Sequence, residues 1–397
     1  MTAPSSVQRV GALVGGAYQL QRLIAEGGMG AVYEATHTPS GHRCAVKMLR
    51  PDRIHDPWAV ERFVREARAL SGAAHPNVVQ LWDTGYHGDG APFLVMNYLE
   101  GDTLAARLEA RGRFSQEETL PLLGPILAAL HASHGKGIIH RDVKPENVFL
   151  ARDAQGYEHP ILIDYGVAGF SNEPEDQTTF DQRKELAGTL GYMSPEQVAG
   201  TAAADPSADV YSAGVMLYEL LTGAQPYQRE NAQATMNAIL HEAVRSPSRI
   251  VPTISPAMEA TVLCAMARDP AHRFPSCEVL HAAIHDALQQ PAGSPALRQY
   301  PLAERVIAAR GAGEGSKKTG AEFADKRART VMIVLNQGEA RVADAPSAAQ
   351  AVGFAPAASP APPAAKRNPL PLVAAVLLFV GGLGMLAFAL FTRLRRG

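Results

Sequence analysis

The sequence predicts an α+β fold followed by a non-globular C-terminal stretch. Period-two alternation runs through Tyr18-Gln-Leu-Gln-Arg-Leu-Ile and Ala31-Val-Tyr-Glu-Ala, as in two antiparallel strands. Helical periodicity takes over from Trp58 to Leu70 and returns in the apolar run that opens at Asp209. Beyond about Gln289, Gly, Ala, Pro and charge dominate, as in Ala357-Ala-Ser-Pro-Ala-Pro-Pro. Such a stretch buries too little apolar surface to offset chain entropy.

Bulk properties narrow the function classes. The chain has 397 residues, 46% hydrophobic and 19% charged, which is enough apolar material for a sizeable core. A formal net charge of −2 gives no electrostatic reason for a nucleic-acid partner. Cys44, Cys264 and Cys277 are odd in number and far apart, which argues against a disulfide framework and for a reducing compartment. No Cys-x-x-Cys or His-rich cluster suggests zinc, and the sequence contains no internal repeats. The N-terminus lacks the basic start and apolar run of a secretory signal.

Residues 1–17 read as an extension, and the globular body runs over 18–288. Between the first two strands lies Ile24-Ala-Glu-Gly-Gly-Met-Gly, where Gly27, Gly28 and Gly30 let the backbone approach phosphate oxygens with no Cβ in the way. Cys44-Ala-Val-Lys-Met-Leu continues as a strand. Its Lys47 is flanked by apolar residues and needs a buried anion partner. Glu66 fits: at 100° per residue it lies about 40° from Leu70, on the margin of the apolar stripe of Val60, Phe63, Val64, Ala67 and Leu70. Phe93-Leu-Val-Met-Asn-Tyr-Leu-Glu-Gly is an apolar strand entering a turn, and Pro160-Ile-Leu-Ile-Asp-Tyr-Gly is one ending on Asp164. From Asp164 to Glu196 run about 33 residues, polar in the middle; structureless loops beyond ~12–15 residues are usually functional or disordered. On local chemistry Asp209 reads as the N-cap of its apolar helix.

Residues 139–147 read Ile-His-Arg-Asp-Val-Lys-Pro-Glu-Asn. That spacing suits phosphoryl transfer: Asp142 can accept the proton of an incoming hydroxyl, Lys144 can sit beside the moving phosphoryl group, and Asn147 can hold a metal ion through its side-chain oxygen. The run resembles the H-R-D-x-K-x-x-N catalytic loop of protein kinases, and Lys144 looks like the serine/threonine branch. With motifs in family order from Tyr18 to Leu288, the chain resembles bacterial eukaryotic-like (Hanks-type) serine/threonine protein kinases. The resemblance implies a two-lobed fold, with a small β-rich lobe over about 18–97, a larger helical lobe over about 100–288, and ATP in the cleft between them.

It also implies roles residue by residue. Ile24, Ala25, Glu26, Gly27, Gly28, Met29, Gly30 and Val32 would form the loop over the nucleotide, with Ala25 in place of the family's first glycine. Lys47 would pair with the α- and β-phosphates and with Glu66. Met96 would stand beside the adenine pocket, and the Asn97 to Leu99 backbone would pair with adenine. Asp164, in an Asp-Tyr-Gly that departs from the usual Asp-Phe-Gly, would bind Mg²⁺ with help from Asn147; Mn²⁺ is the alternative. Thr189 would bridge Asp142 and Lys144. Thr178 and Thr179 are candidate phosphorylation sites that Arg141 would bind once modified. Asp209 would anchor the catalytic-loop backbone, and Arg273 would pair with Glu196 as structural support.

The expected activity is transfer of the ATP γ-phosphoryl group to protein Ser/Thr hydroxyls, with autophosphorylation of the activation loop included in the expectation. The alternative is a pseudokinase acting as a membrane-tethered scaffold, for which Ala25, Asn97 and Tyr165 are the only support. The tail is expected to comprise a linker over 289–369, a transmembrane helix over 370–392 and a short tail over 393–397. Leu370 to Phe391 holds no charged residue over about 22 positions, enough helix to cross a ~30 Å hydrocarbon core. ATP use places the globular body on the cytoplasmic side of the inner membrane. Partners expected beyond protein substrates are a second copy, through the glycines of the span, and a phosphopeptide-binding protein.

Overall fold

A computed structural model describes residues 5–165, 169–170, 190–201 and 205–314. All of them fall in the first of two units, Met1–Ala343; the second, Asp344–Gly397, lies outside the described residues. Also outside them are Thr178, Thr179, Thr189 and the expected span over 370–392. Among the described residues no helix is long and apolar enough to cross a membrane.

The N-terminal lobe is built from β1 (Leu13–Val14), β2 (Tyr18–Glu26), β3 (Gly30–His37), β4 (Arg43–Leu49), α1 (Pro57–Gly72), β5 (Leu81–Tyr86) and β6 (Pro92–Asn97). The strands form one sheet in the order β1-β2-β3-β4-β6-β5, antiparallel throughout. Alternation works as the pleat requires: Ala31, Tyr33 and Ala35 of β3 and Cys44, Val46 and Met48 of β4 are buried on one face. β6 is apolar throughout because both its faces are covered. Phe93 and Val95 join Tyr33 and Val46 on one side, whereas Leu94 and Met96 join Phe63 and Leu70 of α1 on the other. α1 starts on Asp56, whose carboxylate accepts from the N–H groups of Trp58 (3.1 Å) and Ala59 (3.4 Å), with Pro57 at the first helical position.

The C-terminal lobe continues with β7 (Gly101–Thr103), α2 (Leu104–Arg111), α3 (Gln116–His134), β8 (Ile138–Ile139), β9 (Val148–Arg152), β10 (Glu158–Leu162) and β11 (Gly169–Phe170). There follow α4 (Pro195–Ala199), α5 (Ser207–Thr222), α6 (Ala232–His241), α7 (Pro256–Ala265), α8 (Cys277–Gln289), α9 (Pro295–Arg298) and α10 (Pro301–Glu314). α5 is apolar on almost every side and sits at the centre, with Glu219 the one residue between Ala208 and Thr222 that is not buried. Gly214 lets it press against α7: a Cβ there would lie 2.7 Å from the Ala265 Cβ. The β9–β10 hairpin pairs Val148 with Leu162, and the Ile163 N–H donates to the Asn147 carbonyl at 3.0 Å. This register brings the ends of two motifs distant in sequence side by side.

Two boundaries differ from the sequence expectation. Residues 295–314, assigned by composition to the linker, form α9 and α10; Leu297, Ala303, Val306 and Ile307 are buried, and α10 packs on α7. The composition is Ala- and Gly-rich, but the few aliphatics fall on one side and find a docking face. Residues 1–17, read as an extension, belong to the N-terminal lobe where described: β1 pairs with β2, and Ser6 and Arg9 are buried.

Candidate active site

Three carboxylates and two lysines converge at the mouth between the lobes. The Lys47 Nζ, projecting from β4, lies 2.6 Å from Glu66 on α1 and 3.4 Å from Asp164 just beyond β10. Glu66 is only 2% exposed, so the margin position on α1 does turn inward. Burial alone would pull the Lys47 ammonium down, but Asp164 and Glu66 together raise it above its ordinary value. Burial pushes Glu66 the other way, up to about 7, with Lys47 opposing. One cation between two carboxylates decides the balance: Lys47 stays an ammonium.

The segment between β8 and β9 holds the second group. The Lys144 Nζ lies 3.0 Å from the Asp142 Oδ2, and the Asn147 Nδ2 donates to the same oxygen at 3.0 Å and to the Asp142 carbonyl at 2.8 Å. The other carboxylate oxygen, Asp142 Oδ1, is buried and has no hydrogen-bond partner among the described residues. An orphaned, buried carboxylate oxygen is costly. Here it is an acceptor open to a donor from outside the described residues. Both N–H bonds of the Asn147 amide are engaged with Asp142, which leaves its side-chain oxygen as the atom free to hold a cation.

The backbone of this segment is held by Asp209. Its carboxylate is fully buried and accepts from the His140 N–H at 2.9 Å and the Arg141 N–H at 2.8 Å, with the His134 Nε2 at 2.7 Å. The local reading of Asp209 as a helix cap is corrected: α5 starts at Ser207 after Pro206, and Asp205 accepts from the Ser207 N–H at 2.7 Å. Asp209 therefore stands inside the first turn with its side chain free to reach the loop. Burial would raise it, but His134, His140 and the backbone donors hold it below the usual carboxylate range. Arg141 sits at φ 65°, the left-handed region that a side-chain-bearing residue adopts only when held there. The Arg141 carbonyl accepts from the Gln197 side chain at 3.2 Å.

Tyr165, next to Asp164, is fully buried. Its ring lies 4.5 Å from that of His140, and its hydroxyl is 3.0 Å from the Ser133 Oγ, which itself donates to the Ala129 carbonyl. The aromatic hydroxyl that departs from the family pattern thus has a partner. Burial pulls His140 below its ordinary value despite Asp209 and Asp142 nearby.

The glycine turn between β2 and β3 is closed by the Gly27 N–H to the Gly30 carbonyl at 2.8 Å. A Cβ on Gly30 would lie 3.2 Å from the Met48 carbonyl and 3.5 Å from the Lys47 Cε, crowding the lysine stem. Around Gly28 there is open space to 4 Å. Ala25 pairs with Val32, and Ile24 is exposed. Met29 packs against the main core and Met96 is buried in it. Asn97 is engaged: its N–H donates to the Gln80 carbonyl at 3.2 Å, and its Oδ1 accepts from the Gln80 N–H at 2.8 Å. Leu99 packs against the same core. Away from the cleft, Arg273 makes a two-point contact with Glu196, both distances 2.7 Å, and three further bonds to backbone carbonyls.

Sequence reasoning missed His134, Arg50 and Ser133. Nothing local marks them; each is defined by what a remote segment brings to it.

Comparisons with known proteins point to one family. A family model described as the protein kinase domain matches residues 18–284. A probable serine/threonine-protein kinase of Streptomyces coelicolor is 37% identical over 287 residues, covering 71% of this chain and 42% of its own. The serine/threonine-protein kinase PknH of Mycobacterium tuberculosis is 36% identical, covering 71% of this chain and 44% of its own. PrkC of Bacillus subtilis is 34% identical, covering 70% and 41%. The chain spans less than half the length of each of these curated relatives. Among solved structures, the kinase domain of PknI from Mycobacterium tuberculosis superposes with a TM-score of 0.54 at 25% identity, over 70% of this chain and 98% of that one.

Proposed function

We propose that this chain, which belongs to the protein kinase family, transfers the γ-phosphoryl group of ATP to serine or threonine hydroxyls of proteins. The observation that carries the reading is the orphaned Asp142 Oδ1, buried beside Lys144 with no hydrogen-bond partner among the described residues. A substrate hydroxyl supplies the missing donor. Asp142 orients that hydroxyl and takes its proton as the phosphoryl group moves, while the Lys144 ammonium sits beside the developing charge. Lys47, kept charged between Glu66 and Asp164, binds the α- and β-phosphates. The glycine turn covers the phosphates, Met96 walls the adenine, and the backbone from Asn97 to Leu99 reads its edge.

A divalent cation fits the donors present. Asp164 is a partly exposed carboxylate, and Asn147 has an amide oxygen to offer. Mg²⁺ typically takes one or two carboxylates plus phosphate oxygens and water, so this sparse set suits it, with Mn²⁺ as alternative. When bound, the ion would supply positive charge to offset that of the phosphates.

The same proposal includes the rest of the chain. The apolar run over 370–392 would hold the protein in the inner membrane, with the catalytic domain on the cytoplasmic side where ATP is found. Thr178 or Thr179 would accept phosphate and pair with Arg141, and Thr189 would bridge Asp142 and Lys144. Homodimers and a phosphopeptide-binding partner complete the proposal.

Incubating the purified chain with labelled ATP and Mg²⁺, beside an Asp142→Asn control, tests the reaction. Label should enter serine and threonine only in the unaltered chain. Equal labelling of both would remove Asp142 from the mechanism, and labelling of neither would favour a scaffold. Membrane fractionation of the chain with and without residues 370–392 tests the anchor.

A further inference from the structure

The segment before the kinase-family match at residue 18 reaches the nucleotide turn from behind. Ser6 and Arg9, both polar, are only 2% and 5% exposed. The Ser6 hydroxyl donates to the Glu26 Oε1 at 2.8 Å, and the Ser6 carbonyl accepts from the Tyr33 hydroxyl at 2.8 Å. The Arg9 Nη1 donates to the Leu49 carbonyl at 2.6 Å, and its Nη2 contacts Asp89 at 2.6 Å. The far end of the segment is sewn in by β1, whose Leu13 and Val14 pair with Gln19 and Tyr18.

Both residues gripped this way touch the glycine turn. Glu26 immediately precedes Gly27. Leu49 precedes Arg50, whose N–H donates to the Met29 carbonyl at 2.9 Å and whose Nη1 donates to the Gly27 carbonyl at 3.3 Å. The Arg50 Nε also lies 3.8 Å from the Glu26 Oε1, so one carboxylate is shared between Ser6 and the residue that caps the turn. The Arg9 guanidinium thus ties the segment at two points, the Leu49 carbonyl and the Asp89 carboxylate.

We propose that residues 5–14 form a strap that sets the height and stiffness of the glycine turn, with Ser6 and Arg9 as positioning residues for ATP. The strap acts through Glu26 on one flank and through Leu49 and Arg50 on the other. It rests on the ATP reading of the cleft. Its effect belongs to nucleotide binding and not to the chemical step, because neither residue approaches Asp142 or Lys144.

The test uses the full chain, with N-methylanthraniloyl-ATP as the probe for binding without turnover, alongside KM for ATP, kcat and thermal melting. Ser6→Ala removes only the bond to Glu26. It should weaken the probe by about two- to tenfold, the range of one hydrogen bond, with kcat at saturating ATP within about twofold. Arg9→Met should weaken it further while preserving buried volume. Arg310→Ala is the control for plain destabilisation, since Arg310 pairs with Glu259 on α7 and touches nothing in the N-terminal lobe. It should lower melting and leave probe affinity unchanged. The strap is overturned if Ser6→Ala binds the probe as the unaltered chain does, or if its affinity loss is matched by Arg310→Ala. Ser6→Ala alone decides the matter should Arg9→Met not fold. An unaltered chain that fails to bind the probe overturns the ATP reading itself, and the strap with it.

Discussion

Replacing Asp209 with asparagine separates the anchoring of the catalytic segment from its chemistry. The carboxylate offers one oxygen to the Arg141 N–H and the other to the His140 N–H and His134. Asparagine keeps the shape but turns one of those oxygens into an amide that meets a donor with a donor. One charge-assisted bond is lost and a backbone N–H is left buried without a partner, which together cost about 2–4 kcal/mol. At about 2–4 °C per kcal/mol, a loss of ~3 kcal/mol lowers melting by roughly 6–12 °C. The kinetic effect should be larger than the thermal one. Arg141 sits at φ 65°, and without its clamp the backbone relaxes and carries Asp142 with it. A displacement of ~1 Å at a reacting group costs on the order of 10²-fold in rate. Scanning calorimetry and initial rates of labelled phosphate transfer, on Asp209→Asn beside the unaltered chain, read both effects. Unchanged melting together with a kcat within about threefold would refute the claim that Asp209 holds the segment.

Acid stability follows from the Glu196–Arg273 pair. Burial pushes Glu196 up but Arg273 outweighs it, so the folded value lies below the ordinary 4.5. The pair's stabilisation is therefore complete above pH 4.5 and is lost as pH falls through the lowered folded value. Glu196→Gln should flatten that part of the stability–pH curve and, by stranding a buried guanidinium, cost about 3–5 kcal/mol at neutral pH; an undiminished acid slope in chemical denaturation would contradict this. Ending the chain at residue 288 strips Leu297, Val306 and Ile307 from the main core, worth about 1.5–3 kcal/mol each as an upper range. A chain ending at residue 314 should need clearly more urea to unfold than one ending at residue 288, and equal midpoints would show α10 to be dispensable.

Legibility followed the distance over which information is encoded. Asp142, Lys144 and Asn147 lie within one short run, and their spacing alone suggests phosphoryl transfer; the structure brings the three side chains together. Glu66 was readable one level up, because helical angle placed it on the inner margin of α1. Asp209 was half readable: its polarity before an apolar helix suggested a cap, yet its carboxylate serves a segment nearly seventy residues earlier, a pairing no local rule encodes. The ends of the domain were least legible. Residues 295–314 carry few aliphatics among Ala, Gly and charge, and composition averaged them into a linker; their burial depends on the complementary face of α7. Ser6 and Arg9 look like an ordinary polar leader until the sheet provides carbonyl and carboxylate partners. Tyr165 stood out in the sequence only as a departure from Asp-Phe-Gly; the packing of α3 named Ser133 as the acceptor for its hydroxyl.

On the proposed ATP reading, the pairing of Asn97 with Gln80 limits what a competitive inhibitor can exploit in this cleft. Both the amide hydrogen and the carboxamide oxygen of Asn97 are committed, so a heterocycle that presents an acceptor or a donor to those two atoms gains nothing there. Discrimination falls instead to shape: Met96 offers a soft, unbranched wall that yields to a bulky substituent more readily than a β-branched residue would. Compound series aimed at this protein should gain more from filling the space beside that thioether than from adding polar contacts at Asn97.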